Sequence, residues 1–366
     1  MALRTPTPVP LIAEQEALLN SIRLHPDEDT PRLAYADMLD EIGGGSNKAR
    51  AEFIRLQVRL DAGGGDLPNR KDLQAKVGKL LRRHRREWEG AVRVEGVKDV
   101  KFCRGFVDSL TTTADVFVQA GGEWWDEHPI RHVRLEEVCG SVDRVAAVPH
   151  IDNVRSLWLA DEFGERELRP LAESPRPGGA GYFPALETLY VGGWTDDDDF
   201  EWDGASALAE CHMPRLRELH LLDFLEGDAG AAALAGAPWF AGIETLDIYT
   251  SLIGDAGLVT LLTSSPRKKL SDLTVGYSRV TAQGLHALAE LRSAPPLRWL
   301  CLAGSRQWVN DPDYPLSPDW AVDTDRVGAV LRKYPTLRIS LKGCPIPPHT
   351  QTELKKRFGD RVRVGP

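Results

Sequence analysis

The chain has 366 residues, 42% hydrophobic and 27% charged, which excludes a disordered, collagenous or disulfide-stapled chain and allows one to three packed domains. With 45 basic against 54 acidic residues the formal charge is -9, which argues against a chain-wide grip on a polyanion while leaving room for a local basic patch. Five scattered cysteines, Cys103, Cys139, Cys211, Cys301 and Cys344, without a CxxC pair, read as reduced thiols of a cytoplasmic protein. Met1 to Pro10 has the character of neither a signal peptide nor a membrane anchor, and no other stretch is apolar enough to span a bilayer.

Residues 1–95 carry 16 basic and 15 acidic side chains, leaving 29 and 39 in the remainder, and the first region reads as helical. Residues 14–24 place Ala17, Leu18 and Ile22 near one face, and His25-Pro26-Asp27 ends that helix. Thr30-Pro31 restarts it, with the hydroxyl at the N-cap and proline in the first turn, where its missing N–H costs nothing. Leu33, Ala36 and Leu39 then recur at helical spacing until the glycine run 43–45. A third helix is predicted over 47–60 and a fourth over 70–88. The fourth has Leu73, Val77, Leu80, Leu81 and Trp88 on one stripe, with Arg70, Lys71, Lys76, Lys79, Arg82, Arg83, Arg85 and Arg86 as its basic face.

From Val97 onward a pattern apolar-x-x-apolar-x-apolar repeats: Val97/Val100/Phe102, Ile130/Val133/Leu135, Val154/Leu157/Leu159, Leu186/Leu189/Val191, Leu216/Leu219/Leu221, Ile243/Leu246/Ile248, Leu270/Leu273/Val275 and Leu297/Leu300/Leu302, with a weaker copy at Ile339 and Leu341. The best-kept copies follow one another every 27 residues. Gly227-Asp228-Ala229-Gly230, Gly254-Asp255-Ala256-Gly257 and Thr281-Ala282-Gln283-Gly284 each begin 11 residues after their copy's first apolar position. One short parallel strand plus one helix per copy, unable to bury its apolar face alone, accounts for that phase.

Residues 97 to about 345 thus resemble leucine-rich repeats of the ribonuclease-inhibitor-like class, most clearly in LRELHLLDFLEGDAGAAALA and IETLDIYTSLIGDAGLVTLL. The usual Asn or Cys three residues after the last strand position is replaced by Phe224, Ser251, Ser278 and Ser305. A serine hydroxyl can in part take over the amide's bonds to the loop backbone, and Phe224 cannot. Residues 16–60 resemble the bacterial repeat-companion domain through Arg32-Leu33, Tyr35-Ala36-Asp37 and Arg50-Ala51-Glu52-Phe53-Ile54-Arg55-Leu56-Gln57. The resemblance implies a helical module over 1–93, then an α/β leucine-rich-repeat solenoid of about nine units over 94–366, with parallel strands concave, helices convex and a C-terminal helix near 350–358. It implies no activity.

Alternation along the strands places Lys101, Arg134, Trp158, Tyr190, His220, Asp247, Thr274, Cys301 and Ser340 on the open face, followed by a second row that contains Leu222 and Tyr249. Trp158, Tyr190, His220, Leu222 and Tyr249, with Arg134 and Trp299 on the same face, are therefore the candidate contacts for a protein partner. Covering of these rings by loops or by the N-terminal module is the competing structural reading. Two further surfaces are the acidic stretch 195–203, flanked by Trp194 and Trp202, and the basic cluster Arg82, Arg83, Arg85 and Arg86, where an acidic enzyme or nucleic acid could dock. The acidic stretch lacks the spacing of a calcium loop. There is no GxSxG, HExxH or GxxxxGK[ST] motif, and neither Cys211-His212 nor the His128/His132 pair has the arrangement of a catalytic dyad or metal site. The expectation is a noncatalytic protein-binding scaffold without cofactor or metal, with no membrane association. Its alternative is a regulatory or adaptor subunit docking through residues 70–88.

Overall fold

The computed structural model describes residues 9–63, 67–148, 150–161, 165–174, 178–192, 204–222, 226–249, 252–264, 269–292, 295–303, 324–344 and 346–365. Two units divide them, Met1–Arg134 with Val148–His150 and Leu135–Ala147 with Ile151–Pro366.

The first unit opens with four helices, α1 (Val9–Leu24), α2 (Thr30–Ile42), α3 (Gly45–Ala62) and α4 (Arg70–Glu89). The N-cap of α2 is Asp29, so Thr30 is already helical, and Pro31 occupies the first turn as expected. The inward stripe of α2 also departs from expectation. Pro31, Arg32, Tyr35, Ala36, Met38 and Leu39 are buried while Leu33 is exposed, so the first turn faces the core one residue earlier than the Leu33 spacing implies. Ile22, Ala36, Leu39, Ala51, Ile54 and Val58 share one apolar cluster with Phe106.

Phe106 belongs to a β-hairpin, which corrects one expectation. The copy Val97/Val100/Phe102 is not the first parallel repeat strand: β1 (Lys98–Cys103) pairs antiparallel with β2 (Phe106–Thr113). The reason lies in Arg104-Gly105, whose φ values of 48° and 93° form the left-handed two-residue turn that matches strand twist. Gln57 of α3 holds that turn, donating to Phe102 O at 3.2 Å and accepting from Gly105 N at 2.7 Å. A helix, α5 (Ala114–Glu127), follows with Thr113 as its N-cap, and β3 (His132–Glu136) crosses from the first unit into the second.

Arg32, Arg50 and Arg55 have structural tasks in the first unit. Arg55 reaches Asp37 and Asp40, each at 2.6 Å, joining α2 to α3. The Arg50 guanidinium lies 5.0–5.9 Å from the ring centres of Phe53, Trp88, Phe102 and Phe106, and burial pushes its pKa down to about 10. Arg32 is likewise lowered to about 10, first by burial and then by Arg104 and Arg131.

In the second unit β4 (Ser156–Ala160), β5 (Thr188–Val191), β6 (Glu218–Leu222), β7 (Thr245–Tyr249), β8 (Asp272–Val275), β9 (Trp299–Cys301), β10 (Arg338–Lys342) and β11 (Val362–Gly365) lie side by side in chain order, each parallel to the next. Parallel neighbours need a crossover. The described helices between them and before β4 are α6 (Val142–Ala146), α7 (Glu165–Glu173), α8 (Ala205–Glu210), α9 (Gly227–Gly236), α10 (Asp255–Thr263), α11 (Ala282–Glu290), α12 (Thr324–Lys333) and α13 (Pro348–Phe358). One row of register partners runs Leu157, Leu189, Leu219, Leu246, Leu273, Leu300, Ile339 and Val362, all buried. From Leu157 onward, the middle apolar residue of each sequence copy is thus the same core position on successive strands. Strand β11 has no counterpart among the expected elements; only the alternation of Val362 and Val364, both buried, pointed to it.

The Gly-Asp-Ala-Gly phase has an equally local cause. Asp228 in α9 accepts from Gly254 N at 2.7 Å and Gly257 N at 2.9 Å, at the start of α10. One step on, Asp255 accepts from Thr281 N at 2.7 Å and Thr281 Oγ1 at 2.6 Å, at the start of α11. Each carboxylate satisfies amides that a helix N-terminus leaves without internal acceptors. Ser278 is buried and its Oγ accepts from Val280 N at 3.5 Å, the weak backbone contact expected of serine at that position. Phe224, Ser251 and Ser305 lie outside the described residues, as do residues 195–203, Trp194 and Trp308.

Candidate functional site

Strands β4 to β7 alternate buried and half-buried residues, and the half-buried ones share a face. Trp158, Tyr190, His220 and Asp247 are successive register partners on this face. Trp158 stacks on Tyr190 with ring centres 4.8 Å apart and planes at 20°. Tyr190 stacks on His220 at 4.0 Å and 9°. Those separations are close to the spacing of neighbouring strands, so the rings stand upright and parallel. The row ends on a carboxylate: His220 Nδ1 is 3.6 Å from Asp247 Oδ2.

Mutual stacking explains why the rings are half-buried, where the sequence reading expected exposed anchors. Burial, then Glu218 and Asp247, raises the Tyr190 pKa, so its phenol stays protonated and available as a donor. His220 Nε2 and Asp247 Oδ1 are buried atoms with no hydrogen-bond partner among the described residues.

The second row contains Leu222 and Tyr249, which are register partners. The Tyr249 ring packs edge-on against Tyr277 at 5.0 Å and lies over Gly276, where an added Cβ would come within 2.7 Å of it. Its pKa is pushed up to about 12, by burial first and by its hydrogen bond with Tyr277 second. Sequence reasoning missed Tyr277, which follows the strand and sits at φ 48°, outside the alternation that marks a face. It placed Asp247 on the correct row without its partnership to His220.

Trp299 is not part of the stack. It stands on β9 in register with Asp272 and Arg338, and the Arg363 guanidinium lies 5.1 Å from its ring centre. Arg134 falls in the first unit, half-buried on β3. Of the basic cluster on α4, Arg82, Arg83 and Arg86 are exposed, with no ion pair among the described residues. Arg85 is occupied within its own unit, donating to Glu89 and to Val100 O at 2.6 Å each.

Cys211 is buried with its thiol on Ala207 O at 3.5 Å, while His212 is exposed and stacks on Tyr182 at 5.2 Å. Their neighbours are therefore different, as adjacent residues with opposite burial require. His128 is buried, its Nε2 3.2 Å from Glu89 O, and His132 is 3.6 Å from Asp108. Among the described residues no group of three or more His, Cys, Asp or Glu is placed to hold a metal ion, and no helix is long and apolar enough to cross a membrane.

No protein-family model matches this sequence, and no curated protein matches it. Among solved structures, the chain is similar to one in the crystal structure of the yeast Rad7 and Elc1 complex, at 13% identity over 98% of each chain with a TM-score of 0.34. A likeness of that size does not define a fold.

Proposed function

We propose that the chain is a noncatalytic binding scaffold, a leucine-rich-repeat solenoid preceded by a repeat-companion module, which holds a protein partner against the face carrying Trp158, Tyr190, His220, Asp247 and Tyr249. The observation that supports this reading is the ordered row of stacked rings ending on the His220–Asp247 contact, with unpartnered polar atoms. Rings already held in place give a partner a large contact area at little entropic cost, and His220 Nε2 and Asp247 Oδ1 supply direction. Glu218 and Asp247 on the same strands suit a partner segment that brings basic groups. A reducing, cytoplasmic setting belongs to the reading, supported by five cysteines that form no disulfide.

The test is affinity purification from the native host with the intact chain and with the Trp158→Ala/Tyr249→Ala variant. Loss of one or more partners by a variant that remains folded supports the scaffold; identical capture profiles reject it.

A second reading makes the chain an adaptor that docks an acidic enzyme or nucleic acid through α4. Its support is the exposed row Lys71, Lys76, Lys79, Arg82, Arg83 and Arg86. Reversing Arg82, Arg83 and Arg86 to Glu should abolish that association, and binding indifferent to salt would reject it.

A further inference from the structure

The last two strands and the last helix border an open groove of about 560 Å³, lined by Arg338 and Lys342 of β10, Lys355 of α13, Gly359 and Asp360 after it, and Val362, Arg363 and Val364 of β11. Four cations and one carboxylate thus face one space in a chain whose net charge is -9. We propose that this groove binds a small polyanion carrying at least two phosphate or carboxylate groups, a site several strands away from the Trp158–Tyr190–His220 stack on the sheet.

Its geometry follows from strand register. Arg363 is the Cα partner of Ser340, which lies midway between Arg338 and Lys342. Two residues of strand rise about 6.6 Å and neighbouring strands lie about 4.8 Å apart, so Arg363 faces the gap between two cations whose Cα atoms are about 13 Å apart. A ligand with two or three linked anionic groups can span all three. The volume lies within the range of small-molecule sites, roughly 300–1,000 Å³.

These cations also differ from others in the unit. Arg169, Arg217 and Arg357 pair with Glu210, Glu244 and Asp325, and Arg361 donates to Leu331 O, Tyr334 O and Leu337 O. Arg338, Lys342, Lys355 and Arg363 form no ion pair among the described residues. Arg363 is steadied by the Trp299 ring, with its guanidinium carbon 5.1 Å from the ring centre. Two arginine forks and two lysine point charges against Asp360 leave an excess of positive charge, which a ligand of two to four negative charges would neutralise.

Calorimetric titration of the full chain with inorganic triphosphate and, separately, with citrate tests this site. Saturable one-to-one binding of either ligand is expected, weakening as salt is raised. It should fall at least tenfold in Arg338→Ala/Arg363→Ala and in Lys342→Glu, and stay unchanged in Arg82→Glu/Arg83→Glu. Tighter triphosphate assigns the site to phosphates and tighter citrate to carboxylates. The exposed Lys342→Glu change keeps the test open should loss of the Arg363–Trp299 contact impair folding. Absence of saturable binding by both ligands, binding indifferent to the β10 and β11 substitutions, or binding lost on changing α4 would overturn the site. None of these results bears on partner capture by Trp158 and Tyr249.

Discussion

Asp228 Oδ1 lies 2.9 Å from the backbone nitrogen of Gly257, and the Cβ of any other residue at 257 would collide with that same oxygen. One contact therefore accounts for two conserved offsets within the sequence, the aspartate that opens one helix and the glycine in the first turn of the next. Asp255 and Gly284 repeat the collision one step along, where an added Cβ would run into the carboxylate oxygen that accepts from Thr281 N. The series stops at Ala282, which has no side-chain acceptor to offer.

Removing the carboxylate should destabilise the second unit. Asp228→Ala leaves Gly254 N and Gly257 N without their acceptor at a helix start, which costs about 1–2 kcal/mol. Urea unfolding measures it, and Asp228→Asn should recover part of the loss because an amide oxygen still accepts.

Gly257→Ala should also destabilise, by about 1–3 kcal/mol, although alanine in a helix is intrinsically favoured over glycine by about 1 kcal/mol. The collision is with Asp228, so the double variant Asp228→Ala/Gly257→Ala should lose less than the two single losses combined. Strict additivity in a double-mutant cycle would show that the two positions act independently.

His128 should make the protein acid-sensitive well above the carboxylate range. Burial, with Arg50 second, pushes its pKa down to about 3 from an ordinary 6.5, so the folded state keeps it neutral while the unfolded chain takes up a proton. Stability is then fully present above about pH 6.5 and falls as pH drops toward 3, with a limiting slope of about 1.4 kcal/mol per pH unit. Denaturation series between pH 7 and 5 should show that slope in the native chain and a shallower one in His128→Asn.

Tyr190 is the middle ring of the stack, and its loss should be felt on both sides. Tyr190→Ala removes both stacked contacts and should cost about 1–3 kcal/mol, whereas Tyr190→Phe should stay within about 0.5 kcal/mol. Tryptophan emission should shift in the alanine variant as Trp158 loses its neighbour, and an unaltered spectrum would argue against the stack in solution.

Much of this was legible in the residues alone, because period-2 alternation and helical spacing are local properties that state which side chains face inward. The core row Leu157 to Ile339 and the shared face of Trp158, Tyr190 and His220 follow from that alternation. It does not specify a strand's neighbour or direction, since Val97/Val100/Phe102 satisfies the same pattern yet enters an antiparallel hairpin turned by Arg104-Gly105 and held by Gln57. Contacts made across many residues were decided only by the tertiary structure. These include the His220–Asp247 pair, the Tyr277 ring against Tyr249, the engagement of Arg85 with Val100 O, and the convergence of Arg338, Lys342, Lys355 and Arg363 on one groove. Composition reports a chain of net negative charge; packing decides where its uncompensated positive charges meet.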